Sequence, residues 1–249
     1  MNKIIDLSTY DLRFPTSKYL DGSDAMNHNP DYSAAYVVLH TDSNIEGHGL
    51  TFTIGRGNEV CVKAIEAMRP LIIGLELEWI RKNLGKFWQK MTGDSQLRWI
   101  GPEKGVIHLA TSAIVNAVWD LLSKREKKPV WQFISEMPSE ELLNTIDFRY
   151  ISNVISPNEA LKILRDIENS KNERISKLKL EGYPSYTTSA GWLGYNNEKL
   201  RKLCRQLKKS GFKHAKFKVG KNINDDIKRL GIIRDELGDN FNIMIDANQ

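Results

Sequence analysis

Cysteine is nearly absent from this chain: Cys61 and Cys204 are the only two in 249 residues. They lie far apart, which rules out a disulfide framework and a cysteine-rich metal site. Each sits in an apolar helical pattern, as expected of a buried free thiol in a reducing compartment. The five histidines (28, 40, 48, 108 and 214) show no zinc spacing. Gly47-His48-Gly49 and Gly55-Arg56-Gly57-Asn58 fall short of a complete phosphate loop and read as turn glycines. No stretch reads as the roughly 20 apolar residues of a membrane helix, so no membrane partner is expected. Met1-Asn2-Lys3-Ile4-Ile5-Asp6 meets an acid before any signal-peptide core can form, and a cytoplasmic location is the default expectation.

The composition, 41% hydrophobic and 27% charged, is that of an ordinary globular protein. The net charge is +5, but the basic residues are scattered and interleaved with acids, so no nucleic-acid partner is expected. The first part of the chain reads as β: Ile4 to Phe14, Ala34 to Thr41 and Gly49 to Ile54, the last two joined by turn chemistry at Asp42-Ser43-Asn44. A long polar loop, Thr16 to Pro30, separates the first two strands, and ordered loops of that length are often functional. Helices follow: one capped by Asn58, one over Leu75 to Met91, and a central one over Gly105 to Ser123, apolar nearly all round. Arg98-Trp99-Ile100-Gly101-Pro102-Glu103 reads as a tight entry to the central helix. Ser156-Pro157-Asn158-Glu159 is a capping box opening a helix to about Ser170, and a charged, mobile segment is expected from there to Gly182. The period then becomes strand–helix–strand–helix–strand: Ser185 to Ser189, Glu198 to Ser210, Lys213 to Val219, a helix capped by Asn224, and Phe241 to Asp246. That order implies parallel βαβ units.

Chemistry concentrates on the last two strands. Residues two apart share a face of a strand, so Lys216 and Lys218 project together, opposite Ala215, Phe217 and Val219. Two ammonium groups on one inward face repel each other and lose solvation, which is expected to depress a lysine pKa toward the range of a useful base. The alternative is a pair of lysines flanking an exposed edge. Asp246 ends its strand, where parallel α/β folds place catalytic groups, with Asn248 as a second polar group on the same rim. Trp192 follows a strand end and is a candidate pocket wall.

Taken together these features resemble the enolase superfamily, in its mandelate racemase/muconate lactonizing group. The cues are Asn116-Ala117-Val118-Trp119-Asp120-Leu121 on the buried helix, and Lys216-Phe217-Lys218 ahead of Asp246-Ala247-Asn248. Finer motifs look like the L-fuconate dehydratase family: Arg13-Phe14-Pro15-Thr16, Gly22-Ser23-Asp24-Ala25-Met26, Pro30 to Tyr36, Gly49 to Gly55, Leu97 to Leu109, Asp147 to Ile151, Gly182-Tyr183-Pro184 and Trp192 to Tyr195. The resemblance implies an α+β capping domain followed by a (β/α)8 barrel. It also implies magnesium-dependent removal of the proton α to a sugar-acid carboxylate, then loss of the β-hydroxyl to give a 2-keto-3-deoxy acid. Lys218 would be the base. Lys216 would depress its pKa and contact the carboxylate. Asp246 would be the first magnesium ligand, with Asn248 near the substrate, and Gly22, Ser23, Asp24 and Tyr32 would belong to the loop closing over the sugar.

The resemblance also sets expectations for organisation. Residues 1–150 are assigned to the capping domain, 151–184 to a linker helix and connection, and 185–249 to a partial barrel of three parallel strands. A complete barrel typically needs about 250 residues, and the family takes further metal-binding acids and a His–Asp pair from later strands. The expectation is therefore a C-terminally truncated dehydratase, inactive alone, whose open barrel edge could self-associate. By family analogy a mitochondrial location is the alternative to a cytoplasmic one. The competing functional readings are a non-catalytic interaction or regulatory protein and a Schiff-base lysine barrel.

Overall fold

The computed structural model describes residues 3–101 and 104–248. The chain forms two compact units: residues up to Leu12 with Ser33–Gly182, and Arg13–Tyr32 with the chain from Tyr183 onward. Packing thus places the polar loop after the first strand with the C-terminal unit, and the residues of the linker helix with the N-terminal one.

In the N-terminal unit, β1 (Ile4–Arg13), β2 (Ser33–Thr41) and β3 (Glu46–Thr53) form a sheet in that order. β2 and β3 are antiparallel, with Val37 opposite Gly49. Helices α1 (Asn58–Ala67), α2 (Arg69–Ile72), α3 (Leu77–Lys82), α4 (Leu84–Thr92) and α5 (Ser95–Ile100) lead to α6 (Val106–Arg125). α7 (Val130–Glu136), α8 (Ser139–Leu143), α9 (Pro157–Asp166) and α10 (Lys171–Glu181) complete the unit. α6 buries Ile107, Ala110, Ala113, Ile114, Ala117, Val118 and Leu121 against β3, β2 and α1. Its 20 residues are long and apolar enough to cross a membrane by composition alone, contrary to the sequence reading; here it is the central core helix. Gly49 lies in β3 as expected; Gly47, read as a turn residue, joins it there, and α6 runs so close that a Cβ on either would strike its backbone.

Several local expectations are corrected. Asn58 does not cap α1; Gly57, at φ 95°, precedes the helix, while the buried Asn58 side chain donates to Asp11 Oδ1 at 2.6 Å and accepts from Thr53 Oγ1 at 2.8 Å. The helix expected over Leu75 to Met91 breaks at Asn83, whose φ of −135° and ψ of 39° leave helical space. The capping box at Ser156 forms with both bonds present, but α9 ends at Asp166. The charged stretch after it is α10 rather than an irregular segment, tied down where Lys171 Nζ donates to Met137 O at 2.9 Å. Of the tight entry to α6, Pro102 and Glu103 lie outside the described residues.

In the C-terminal unit the order is α11 (Asn197–Lys209), β4 (His214–Lys218), α12 (Ile223–Leu237) and β5 (Asn242–Asp246). β4 and β5 pair in parallel, with Lys218 opposite Asp246. A third parallel strand was expected at Ser185 to Ser189. Only one bridge forms there, Thr187 to Ala215, with Lys216 N donating to Thr187 O at 2.9 Å. The reason is local: Thr187 Oγ1 accepts from Ser189 N at 3.2 Å and Gly191 N reaches back to Thr188 O at 2.8 Å, turning the chain away. Ala215 and Phe217 pack with Leu200, Cys204, Leu207, Ile233 and Leu237. α12 is capped by Asn222, which accepts from Asn224 N and Asp225 N, and not by Asn224. Glu236 clamps α11 to α12 by accepting from Arg201 at 2.9 Å and Arg205 at 2.7 Å.

Candidate active site

β4 and β5 are in register, and this brings the strand-end groups together. With Ala215 and Phe217 turned into the apolar cluster, Lys216 and Lys218 share the opposite face, as the alternation predicts. Both ammonium groups reach one atom: Asp246 Oδ2 accepts from Lys216 Nζ at 2.8 Å and from Lys218 Nζ at 2.7 Å. The other oxygen, Oδ1, accepts from the backbone N–H of Asn248 at 2.9 Å. Asn248 has a φ of 61°, a left-handed conformation that asparagine tolerates, and this folds its side chain back so that Oδ1 accepts a second bond from Lys218. Lys218 is 8% exposed, and its Nζ lies 5.8 Å from the centroid of the Trp192 ring.

The electrostatics differ from the expected mutual repulsion. The Lys216 pKa is raised, first by its hydrogen bond to Asp246, with burial opposing and Tyr186 adding to the rise. Hydrogen bonds from Lys216 and Lys218, then the Asn248 N–H, hold the Asp246 carboxyl far below the usual carboxylate range. One carboxylate between the two ammonium groups offsets the repulsion that would have lowered the Lys216 pKa.

The polar loop supplies the rest of the site. Its ends are stitched by Thr16 Oγ1 donating to Pro30 O at 2.8 Å and Ser17 Oγ donating to Asp31 Oδ1 at 2.7 Å. Gly22 has a φ of 86°, and a Cβ there would meet the Tyr32 ring, so glycine is needed on both counts. Ser23 is buried; its Oγ donates to Leu20 O at 2.6 Å and accepts from Gly194 N at 2.8 Å. Tyr32 meets Trp192 edge-on at 6.1 Å, and burial first, then the charges of Asp24 and Asp21, push its pKa up. Asp24 Oδ2 accepts from Asn248 Nδ2 at 2.8 Å. The structure thus joins Asp24, Lys216, Lys218, Asp246 and Asn248 in one hydrogen-bonded group. Gly22, Ser23 and Tyr32 shape the loop beside it.

Three contributors escape a reading of the sequence. Tyr186 stands beside Lys216, whose Nζ is 5.2 Å from its ring centroid. The Arg229 guanidinium donates to the carbonyls of Trp192, Leu193 and Tyr195 at 3.2–3.4 Å, fixing the segment that carries Trp192. Asp21 accepts from Tyr195 Oη and from Lys199 Nζ, the latter at 3.2 Å, anchoring the loop. Only Tyr186 had a usable signal, its position beside the residues bridged to β4.

Magnesium needs about six oxygen ligands in near-octahedral array. Among the described residues no group of three His, Cys, Asp or Glu could hold a metal ion. Asp246 offers one carboxylate, already engaged at both oxygens. These residues do not by themselves fit the ion.

Residues 25–135 match the family model of the mandelate racemase/muconate lactonizing enzyme N-terminal domain, and residues 199–249 that of the enolase C-terminal domain-like family. The chain is 50% identical to mitochondrial enolase superfamily member 1 of Xenopus laevis over 99% of its own length and 56% of the relative's. It is 52% identical to L-galactonate dehydratase of Hypocrea jecorina, over 96% of this chain and 54% of that one. The chain thus spans about half the length of the curated relatives it matches. The crystal structure of human mitochondrial enolase superfamily member 1 superposes with a TM-score of 0.96 at 48% identity, covering 100% of this chain and 57% of that one. L-talarate/galactarate dehydratase from Salmonella typhimurium, liganded with Mg and L-lyxarohydroxamate, shares the fold at a TM-score of 0.68 and 21% identity, covering 98% of this chain and 50% of that one.

Proposed function

The chain belongs to the mandelate racemase/muconate lactonizing group of the enolase superfamily, and from that premise we propose that it contributes the proton-abstracting half of a sugar-acid dehydratase. The observation that carries this reading is the convergence of Lys216 and Lys218 on Asp246 at the carboxyl ends of adjacent parallel strands. The names of the matched dehydratases give the substrate class: L-galactonate, arabinonate and talarate/galactarate. L-Fuconate, suggested by the finer motifs, belongs to the same set of candidates. The architecture this assumes is a capping domain followed by the first βα units of an incomplete (β/α)8 barrel.

A proton next to a carboxylate is very weakly acidic, so its removal requires cationic groups placed where the enediolate charge develops. In this proposal Lys218 takes the α-proton. Lys216 keeps its proton because Asp246 raises its pKa, and faces the substrate carboxylate as a cation. Asn248 and Asp24 present polar groups to the sugar hydroxyls beside the Trp192 and Tyr32 rings, on a loop that Ser23 holds in place. The described residues do not by themselves fit a magnesium ion; bound in a complete site it would supply electrostatic stabilisation of the enediolate, with Asp246 as one oxygen ligand. The names of the vertebrate relatives carry a mitochondrial location, which we extend to this chain as part of the same proposal.

The test is a chimera joining these 249 residues to the remaining C-terminal sequence of the Hypocrea jecorina enzyme. With magnesium and L-galactonate, L-fuconate or arabinonate, the expected result is a 2-keto-3-deoxy acid, detected as its semicarbazone, with activity abolished by Lys218→Ala. A folded chimera that turns over none of the three acids, or one whose activity survives Lys218→Ala, overturns the reading.

A further inference from the structure

Asp24 is 6% exposed, yet it is a carboxylate with two separate tasks. Its Oδ1 accepts from the backbone N–H groups of Met26 at 2.9 Å and Asn27 at 2.6 Å, closing a turn inside the loop. That turn needs only one oxygen. The other, Oδ2, accepts from Asn248 Nδ2 at 2.8 Å, with a longer contact of 3.5 Å from Asn27 Nδ2. The opposite end of the same amide, Asn248 Oδ1, accepts from Lys218 Nζ.

A side-chain amide has a donor end and an acceptor end of nearly equal shape, and it can reverse them by turning about χ2. Beside an ammonium group the two orientations are not equivalent. The carbonyl oxygen gives Lys218 an acceptor, whereas the NH2 end would set donor against donor. An ionised carboxylate only accepts, so Asp24 admits only the NH2 end of Asn248 and thereby turns the carbonyl toward Lys218. The backbone does not impose this choice, because the bond from Asn248 N to Asp246 Oδ1 at 2.9 Å is the same for either amide orientation.

We propose that Asp24 is a positioning residue for Lys218: it holds the Asn248 amide with Oδ1 toward the amine, so that the loop which closes the site also aims the group at its base. The role as a base rests on the function proposed above; the positioning does not. Two independent links make up the relay, Asp24 to Asn248 and Asn248 to Lys218, both within the C-terminal unit.

The experiment is hydrogen exchange of side-chain amides by 1H–15N NMR on the full chain with 15N-labelled asparagine and methionine, the Asn248 signal being identified by its loss in Asn248→Gln. A bond to a charged acceptor is worth about 1.5–3 kcal/mol, so the Asn248 side-chain amide should exchange roughly ten- to a hundredfold more slowly than that of exposed Asn158. Asp24→Asn keeps an acceptor for Met26 and Asn27 but no longer selects the amide end. The protection of Asn248 should fall to the exposed level while the Met26 and Asn27 backbone signals persist. Exchanging the partners in Asp24→Asn/Asn248→Asp should restore the relay, and a protected side-chain amide should now report from position 24. An Asn248 amide as labile as Asn158 in the unaltered chain, or one unmoved by Asp24→Asn, overturns the proposal. So does a folded double variant with no protected amide at position 24. The readout needs no turnover, so an inactive chimera would fail the dehydratase reading and leave this one standing.

Discussion

Lys218 and Asp246 are direct partners across the parallel β4–β5 pair, and their side chains meet at 2.7 Å. Lys216, two residues earlier on the same face, reaches the same carboxylate oxygen at 2.8 Å. One acid therefore serves two bases, and the site's charge balance follows from strand register.

Asp246→Asn removes the acceptor that raises the Lys216 pKa, and that pKa should fall, followed by 13C NMR of the lysine side chains. The linkage has a definite sign. With the folded Lys216 pKa above 10.5, the stabilisation is fully present below that pH and is lost as pH rises through the raised value. Asp246, depressed below 3.8, stabilises above that pH and loses its contribution as pH falls. Acid and alkaline unfolding curves of the variant should both flatten. A Lys216 titration identical to the parent's would contradict the shared-carboxylate account.

Glu236 accepts from two arginines, which lower its pKa from 4.5 to about 2. Its contribution to holding α11 against α12 is present above pH 4.5 and disappears as pH falls toward about 2. In Glu236→Gln that stretch of the acid-unfolding curve should lose its slope, read by circular dichroism. An unchanged curve would mean that the clamp contributes nothing.

Gly49 lies under α6, where a Cβ would strike the Ala113 carbonyl and stand 2.5 Å from Ala117 N. Backbone cannot give way as a flexible side chain can. Gly49→Ala should cost about 3 kcal/mol or more, measured by urea unfolding. A loss below about 1 kcal/mol would show that the sheet and α6 can separate at little cost.

Ser156 completes a reciprocal cap with Glu159. Ser156→Ala should lower stability by about 0.5–2 kcal/mol, whereas Ser156→Thr should keep most of it. Equal losses in the two variants would assign the effect to packing and not to the cap.

Much of the fold was legible because its signals are periodic. The apolar face of α6, the capping box at Ser156 and the alternation that puts Lys216 and Lys218 on one face all depend on neighbours in the chain. What was misread depended on partners distant in sequence. Asn58 has the chemistry of a cap, but its buried amide is claimed by Asp11 and Thr53. Gly47 suits a turn equally well, and the closeness of α6 favours its place in the strand. The stretch at Ser185 to Ser189 has strand composition, yet hydroxyl bonds and the turn at Gly191 limit it to one bridge.

The site divides along the same line. The sequence by itself determined that Lys216, Lys218, Asp246 and Asn248 take part and that the two lysines share one face of their strand, because side-chain alternation is a property of one strand. It could not decide the charge state of the lysines. Two like charges two residues apart predict mutual depression, and that prediction fails for Lys216 because parallel pairing sets Asp246 between it and Lys218. Nor could it join Asp24 to Asn248, more than 200 positions further along the chain. Electrostatic energy falls with distance in space, and only the tertiary structure sets that distance.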